Sequence, residues 1–140
     1  MIAKDTAQIK NIISKRTKNI TENVVKLLNR GALLVEGTAK ESIQRGAKTG
    51  RTYRRGGITH QASAAGEAPA SDTGFLVSNI THNLATKGQT MTAKVLSNAK
   101  YSKFLEYGTR KMEERPFLQP ALEQNKKKIK DFFKKGGLIK

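Results

Sequence analysis

The sequence predicts an α+β fold in which a long N-terminal amphipathic helix and a C-terminal helix pack on a small antiparallel β-sheet, with an extended arm between them. Apolar residues recur at helical spacing from about Lys4 to Arg45. Two stretches of alternating apolar and polar residues flank Lys87-Gly88, and a second helical pattern runs from Pro120 to Gly136. A chain of 140 residues buries about two thirds of its surface on folding, which suffices for a single domain over residues 1–140.

The first 45 residues predict one helix. Its apolar positions recur mostly three, four or seven residues apart, with Lys and Asn between them: Ile9, Ile13, Ile20, Val24, Leu27, Leu28, Leu34 and Val35. Gly31 and Gly37 fall inside this pattern, where glycine costs about 0.5–1 kcal/mol relative to alanine. They indicate either a bend or close contact with another chain, or they are simply tolerated.

Residues 46–74 are rich in Gly, Ala, Ser, Thr and Arg and carry too few large apolar side chains to build a core. Residues 51–54 and 58–61 have strand character and flank Arg55-Gly56-Gly57, which predicts an extended hairpin. A loop of this length is usually functional or disordered. We favour an arm that becomes ordered against a neighbouring subunit over a disordered loop, and we expect residues 48–71 to lack an anchor within the chain.

Residues 75–123 are expected to form most of the core and residues 124–140 a basic helix and tail. Asp72 or Thr73 is expected to cap a short helix, which is followed by the hairpin around Lys87-Gly88. A helix from Tyr101 to Tyr107 should end at Gly108. The predicted core comprises Phe75, Leu76, Ile80, Leu84, Val95, Phe104, Leu105, Phe117, Leu118 and Leu122, together with Ile20, Val24, Leu27 and Leu28 of the long helix.

The composition is strongly basic, with 27 Lys and Arg against 11 Asp and Glu and a formal net charge of +16. The excess is spread along the chain, which favours solubility or unspecific attraction to polyanions over a concentrated reading surface. The chain has no Cys, which excludes a disulfide framework. No apolar run has the length of a membrane span, and the N-terminus lacks the pattern of an export signal.

Nothing in the sequence has the spacing of a catalytic, cofactor or metal site. His60 and His82 stand 22 residues apart without Cys or paired carboxylates near them. The glycines do not form a phosphate-binding loop, and no Ser lies in a nucleophile elbow. We therefore expect no catalytic residues, no cofactor and no metal, and we expect a protein that is not an enzyme.

Two groups of basic residues could contact DNA phosphates weakly. Arg51, Arg54 and Arg55 surround Tyr53, an arrangement in which arginines bind phosphates while the ring stacks on a base. Lys126, Lys127 and Lys130 belong to the basic C-terminal helix. Lysines near a helix C-terminus also interact favourably with the helix dipole, so a solvated helix face is the simpler interpretation of the second group.

Three segments resemble the HK-ninety-seven gene-ten-like family of tail-component and neck proteins of long-tailed bacteriophages. They are Ser-Asp-Thr-Gly-Phe-Leu-Val-Ser-Asn-Ile at 71–80, Tyr-Ser-Lys-Phe-Leu-Glu-Tyr-Gly-Thr-Arg-Lys-Met at 101–112 and Arg-Pro-Phe-Leu-Gln-Pro-Ala at 115–121. Gly-Glu-Ala-Pro-Ala at 66–70 also matches, so the resemblance covers roughly residues 45–123. It implies structural roles for Thr73, Gly74, Leu76, Tyr101, Leu105, Glu106, Gly108, Thr109, Arg115, Pro116, Phe117, Pro120 and Ala121.

The resemblance further implies a structural virion protein of a bacteriophage or prophage that multimerises as a ring at the head–tail junction. Its expected partners are further copies of itself, a connector or stopper, tail-terminator or tube proteins, and transiently the double-stranded DNA in the channel, with no membrane. It would be made in the host bacterial cytoplasm. The alternative is a basic nucleic-acid-binding module of a mobile element, with an enzyme third.

Overall fold

The N-terminal periodicity forms one continuous helix, α1 (Ile2–Arg45), in the computed structural model of the chain. The structure describes residues 2–140, with the side chains of Thr6 and of residues 8–140. Neither Gly31 nor Gly37 interrupts α1. A Cβ atom at Gly31 would lie 3.3 Å from Cγ2 of Ile129, whereas one at Gly37 would meet nothing within 4 Å. Gly31 therefore does allow a close approach, and the approach is made by the C-terminal helix of the same chain.

The predicted arm hairpin is present as β1 (Thr52–Arg55) and β2 (Ile58–Gln61), paired antiparallel with Tyr53 opposite His60. Gly56 and Gly57 form its two-residue turn with φ of 58° and 81°, the positive values that a tight hairpin turn of this kind requires. Both strands are almost entirely exposed. The hairpin therefore projects as a thin ribbon with little of its own surface covered.

The rest of the segment is anchored within the chain, so the expectation that residues 48–71 lack an anchor is wrong for the part that follows the hairpin. Ser63 and Pro69 are buried, and Ala68 packs against the core. The backbone N–H of Gly66 donates to the backbone oxygen of Glu114 (2.9 Å), and Nε of Arg115 donates to the backbone oxygen of Ser63 (3.2 Å). Backbone and polar groups supply the attachment that the sparse apolar side chains could not.

The chain then forms a short helix, α2 (Phe75–Ser78), and a hairpin of β3 (Ile80–Lys87) and β4 (Thr90–Ser97). The N-cap of α2 is Gly74 with φ of 77°, and neither predicted capping side chain bonds in that position. Thr73 acts locally instead, because its Oγ1 accepts a hydrogen bond from the N–H of Phe75 (3.3 Å). The turn predicted at Lys87-Gly88 is instead Gly88-Gln89, because Lys87 pairs with Thr90 as the last residue of β3. One side of the hairpin packs on α1.

Two further helices complete the fold, α3 (Ser102–Tyr107) and α4 (Leu118–Lys135). α3 ends at Gly108 as predicted, and α4 begins two residues before Pro120. α4 runs antiparallel along α1, since Asn125 bonds to Thr38 (2.8 Å) while Ile129 lies beside Gly31. This arrangement of helices and antiparallel hairpins confirms the predicted α+β class.

The buried core is smaller than predicted and lies further along α1. It contains Val35, Ala39, Ile43, Leu76, Ile80, Ala99, Phe117 and Ala121, with Val95, Leu105 and Leu118 partly buried against it. The predicted core residues Phe75, Leu84, Phe104, Leu122 and Ile20 are each at least 40% exposed, so their assignment to the core is wrong. Short helices, and a hairpin covered on one side, can each bury only one row of side chains, so the other rows stay exposed. Ile20 is exposed because the first half of α1 extends beyond the body.

Candidate assembly interface

Glu106 joins α3 to the start of α4. Its carboxylate accepts hydrogen bonds from the backbone N–H groups of Phe117 (2.9 Å), Leu118 (3.1 Å) and Gln119 (2.8 Å). The first N–H groups of a helix have no partner within the helix, and a negative charge at that end interacts favourably with the helix dipole. A buried side chain from one helix therefore caps another, a role that sequence spacing alone did not identify.

The connection between α3 and α4 is a compact turn. It is made by residues for which the sequence resemblance implied structural roles, which we call the family-like residues. The backbone at Gly108 has φ of 70°, and a Cβ there would lie 2.9 Å from the Met112 oxygen, so only glycine fits. The N–H of Thr109 donates to the Met112 oxygen (2.7 Å), and Thr109 Oγ1 accepts from the Met112 N–H (3.1 Å). The N–H of Arg115 then donates to the Leu105 oxygen (2.6 Å), which returns the chain to the body.

Six of the family-like residues meet around one open cavity of about 300 Å³ between the arm hairpin and the body. They come from three separate segments of sequence: Thr73, Gly74, Leu76, Tyr101, Leu105 and Arg115. The Arg115 guanidinium Nε also donates to the backbone oxygen of Ser63 (3.2 Å) at the base of the arm. Pro116, Pro120 and Ala121 line a second recess at the other side of this connection, beside Thr38 of α1.

Exposed aromatic rings border the first cavity. Phe75 and Tyr101 are 53% and 42% exposed, and their ring centroids lie 6.3 Å apart. Phe104 and Tyr107, which are 46% and 77% exposed, belong to α3 and lie outside the lining of this cavity. Aromatic residues are enriched at the centres of protein interfaces, where they contribute much of the binding energy. The sequence analysis missed this surface because it assigned Phe75 and Phe104 to the core. In the structure no other part of the described chain fully covers these two rings, so they remain exposed.

The structure separates the predicted DNA-contact residues into two groups. On the arm, Nη1 of Arg55 pairs with Oδ2 of Asp72 at 2.5 Å, and Tyr53 stacks on His60 with 5.5 Å between centroids. Arg54 lies on the opposite side of the ribbon from Tyr53, since adjacent strand residues alternate. Arg51 is exposed. The motif of arginines around one free ring is therefore not formed as predicted.

The second group lies on the exposed side of α4. Lys130 follows Lys126 by four residues and Lys127 by three, so all three lysines lie on neighbouring positions of one exposed side of the helix. Lys126 also lies 3.5 Å from the Glu123 carboxylate. No hydrogen bond or ion pair in the described part of the chain joins α4 to the arm hairpin, so the two groups do not form one basic site.

His82 belongs to a polar cluster between β3 and α1. Its Nδ1 donates to Oε2 of Glu36 (2.5 Å), and its Nε2 lies 3.0 Å from Oδ1 of Asn29. Burial by itself would raise the pKa of the Glu36 carboxyl, but hydrogen bonds from Lys40 and His82 outweigh it and hold that pKa below its ordinary value. The cluster fixes the hairpin on α1. Within residues 8–140, no group of three or more His, Asp and Glu is placed to hold a metal ion.

The chain belongs to the HK97-gp10-like family. The family model, described as "Bacteriophage HK97-gp10, putative tail-component", matches residues 7–108 and confirms the resemblance seen in the sequence. The match includes α1 from residue 7 onward, which the sequence motifs did not use, and it ends at Gly108, before the Arg115–Ala121 motif. No curated protein and no solved structure gave a significant match. Among the described helices, none is long and apolar enough to cross a membrane.

Proposed function

We propose that this tail component is a structural virion protein that multimerises as a ring at the head–tail junction and joins the connector to the tail. The observation that carries the proposal is the large accessible surface of the single chain, 10537 Å². A compact monomer of 15.4 kDa exposes roughly 7,200 Å². The isolated chain therefore exposes about 3,300 Å² more than a compact monomer of its mass.

The character of this surface also supports assembly. The first half of α1, the arm hairpin and the rings around α3 all expose large apolar side chains. A typical stable interface buries about 800 Å² on each partner. The excess area is enough for contacts with two neighbours in a ring and with a further layer above or below. Neighbouring copies, a connector or stopper, and a tail-terminator or tube protein are the partners that this position requires.

The arm hairpin is one of the contacts that we assign to a neighbouring subunit. Because the N–H of Gly50 donates to the oxygen of Ala62 (2.9 Å), the two ends of the hairpin lie side by side, and a short Gly-Ser turn can replace residues 51–61. We expect this deletion to leave the thermal melting temperature almost unchanged while tails no longer join heads. A matched control keeps the hairpin and exchanges only its Gly56-Gly57 turn for Asn-Gly, another sequence typical of this turn.

Native mass spectrometry and negative-stain microscopy of the purified full chain test the ring directly. The expected result is a closed oligomer with one dominant subunit number, formed alone or on addition of the purified connector. A chain that stays monomeric with connector and tail proteins present, and that is missing from purified virions, contradicts the proposal. The proposed site of action is the virion, after synthesis in the host bacterial cytoplasm.

Contact with DNA in the channel would be weak, and the protein would have no catalytic role. The exposed residues Arg51, Arg54, Lys126, Lys127 and Lys130 would attract phosphates, with Arg55 limited by its pair with Asp72. Binding measured at two salt concentrations should fall steeply as salt increases and should not depend on sequence. Nanomolar affinity for one sequence that persists at high salt would favour the alternative, a nucleic-acid-binding module of a mobile element.

A further inference from the structure

The first half of α1 carries an apolar stripe that no other part of the described chain covers. Residues 8–23 are all exposed, and from residue 8 onward the first half-buried position is Val24. At 1.5 Å per residue, this projecting section is about 24 Å long. Ile9, Ile13 and Ile20 lie on one stripe of it, because their spacings of four and seven residues return to the same side of a helix, and each is 54–58% exposed.

The stripe continues a packed seam of the same chain. Leu27, seven residues after Ile20, reaches the C-terminal end of α4, where a Cβ at Gly136 would lie 2.7 Å from Leu27 Cδ1. α4 ends there, and the stripe beyond it is exposed. An isolated helical section of this length is marginal in water, and its stability usually comes from tertiary packing of its apolar side. We therefore expect the exposed stripe to pack against a surface of another molecule.

The body of the chain carries a matching apolar groove. It lies between α1, β4 and α4, has a volume of about 340 Å³, and is lined by residues that include Leu28, Val35, Met91, Val95, Ile129 and Phe133. None of the described residues that line it is charged. The stripe cannot enter the groove of its own chain, since Leu28 and Val35 belong to the same continuous helix and lie in the groove wall.

We infer that the projecting section of α1 docks in the α1/β4/α4 groove of a second copy of this chain, in a head-to-tail contact. Charge decides between this contact and a symmetric pairing of two α1 helices. Residues 8–23 carry Lys10, Lys15, Arg16 and Lys18 against Glu22, so two such helices side by side would repel. The described residues that line the groove are uncharged and add no local repulsion against the stripe, so only the net positive charge of the two copies opposes this contact. A repeated head-to-tail contact closes into a ring when the rotation between neighbours is a whole fraction of a full turn, so this inference rests on the proposed function and names its subunit interface.

Cross-linking of single-cysteine variants tests the contact, because the chain has no cysteine of its own. Ile20→Cys lies on the stripe, Leu122→Cys lies in the groove wall, and Asn11→Cys is the control on the far side of the helix. Mixed with a short bismaleimide, the stripe and groove variants should cross-link at least about tenfold more than the control and groove variants. A predominant Ile20→Cys homodimer, or equal yields for both mixtures, overturns the inference.

Charge variants of the full chain give a second, independent measurement. Ile13→Lys with Ile20→Lys should prevent self-association, as should Leu122→Lys, whereas Asn11→Lys with Ser14→Lys adds the same two charges away from the stripe and should not. A mixture of the stripe and groove variants retains one intact contact and should give a 1:1 dimer that does not grow. Because both copies are basic, raising the salt concentration should strengthen this contact and weaken any bridging by DNA.

The outcomes separate this inference from the proposed function. If native mass spectrometry shows that the variant Ile13→Lys with Ile20→Lys still forms a ring, the proposed function stands and this contact is overturned. The groove would then be left for a connector or tail protein. Absence of any oligomer or virion incorporation contradicts the proposed function. A cross-link specific to the stripe and groove in that case still establishes the contact between copies.

Discussion

Replacement of Glu106 is the sharpest test of how the family-like residues hold the fold. Glu106 is only 8% exposed, and its carboxylate accepts three backbone hydrogen bonds at the start of α4. Glu106→Ala removes both acceptor oxygens and with them all three hydrogen bonds, and it leaves the N–H groups of Phe117 and Leu118 without this acceptor in a largely buried place. Gln119 is exposed, so its N–H can turn to water.

The structure sets the size of the effect. A hydrogen bond to a charged group contributes about 1.5–3 kcal/mol net, so the loss of the two protected bonds should cost about 3–6 kcal/mol. For a chain of this length each kcal/mol shifts the melting temperature by about 3 °C, so Glu106→Ala should lower it by about 9–18 °C. Glu106→Gln keeps one carbonyl acceptor and loses the charge, which should cost about 1–2 kcal/mol.

Thermal melts followed by circular dichroism measure both variants against Glu113→Ala and Glu114→Ala. These controls remove exposed carboxylates from the same connection and should change the free energy of unfolding by less than about 0.5 kcal/mol. If Glu106→Ala melts within the range of the two controls, the cap does not support α4 and the reasoning is refuted.

Three further tests address packing and charge. Phe117→Ala should cost about 3–5 kcal/mol because the ring is 1% exposed, whereas Phe104→Ala should cost less than about 1 kcal/mol; similar melts would contradict the core described above. Gly37→Ala should raise the free energy of unfolding by about 0.5–1 kcal/mol in denaturant titrations, and Gly31→Val should lower it by about 1–3 kcal/mol by forcing α4 away. The pKa of the Glu36 carboxyl is held below its ordinary value, so the hydrogen bonds of the carboxylate and its ion pair with Lys40 stabilise the fold above that ordinary value. This stabilisation is lost as the pH falls through the lowered folded pKa. The difference in melting temperature between the natural chain and Glu36→Gln should therefore shrink in acid; a difference that grows there would contradict this assignment.

Local signals predicted most elements correctly because each depends on neighbouring residues. Glycine pairs with positive φ formed the arm turn, Gly108 ended α3, and the alternation on either side of residue 88 produced β3 and β4. The motifs around residues 71–80 and 101–112 identified the family. Burial was predicted less well, because periodicity shows that a helix has an apolar side but not what covers that side.

The sequence by itself therefore determined the element order, the α+β class, the family and the absence of a disulfide framework. Only the tertiary structure decided that Glu106 caps α4, that Arg55 pairs with Asp72, and that Ile9, Ile13 and Ile20 extend beyond the body. Turns and helix ends follow from backbone preferences within a few residues. Capping by Glu106 and the pairing of Arg55 depend on partners 11 to 17 residues away in sequence. The exposure of the three isoleucines depends on where α4 ends, and no local sequence pattern encodes either.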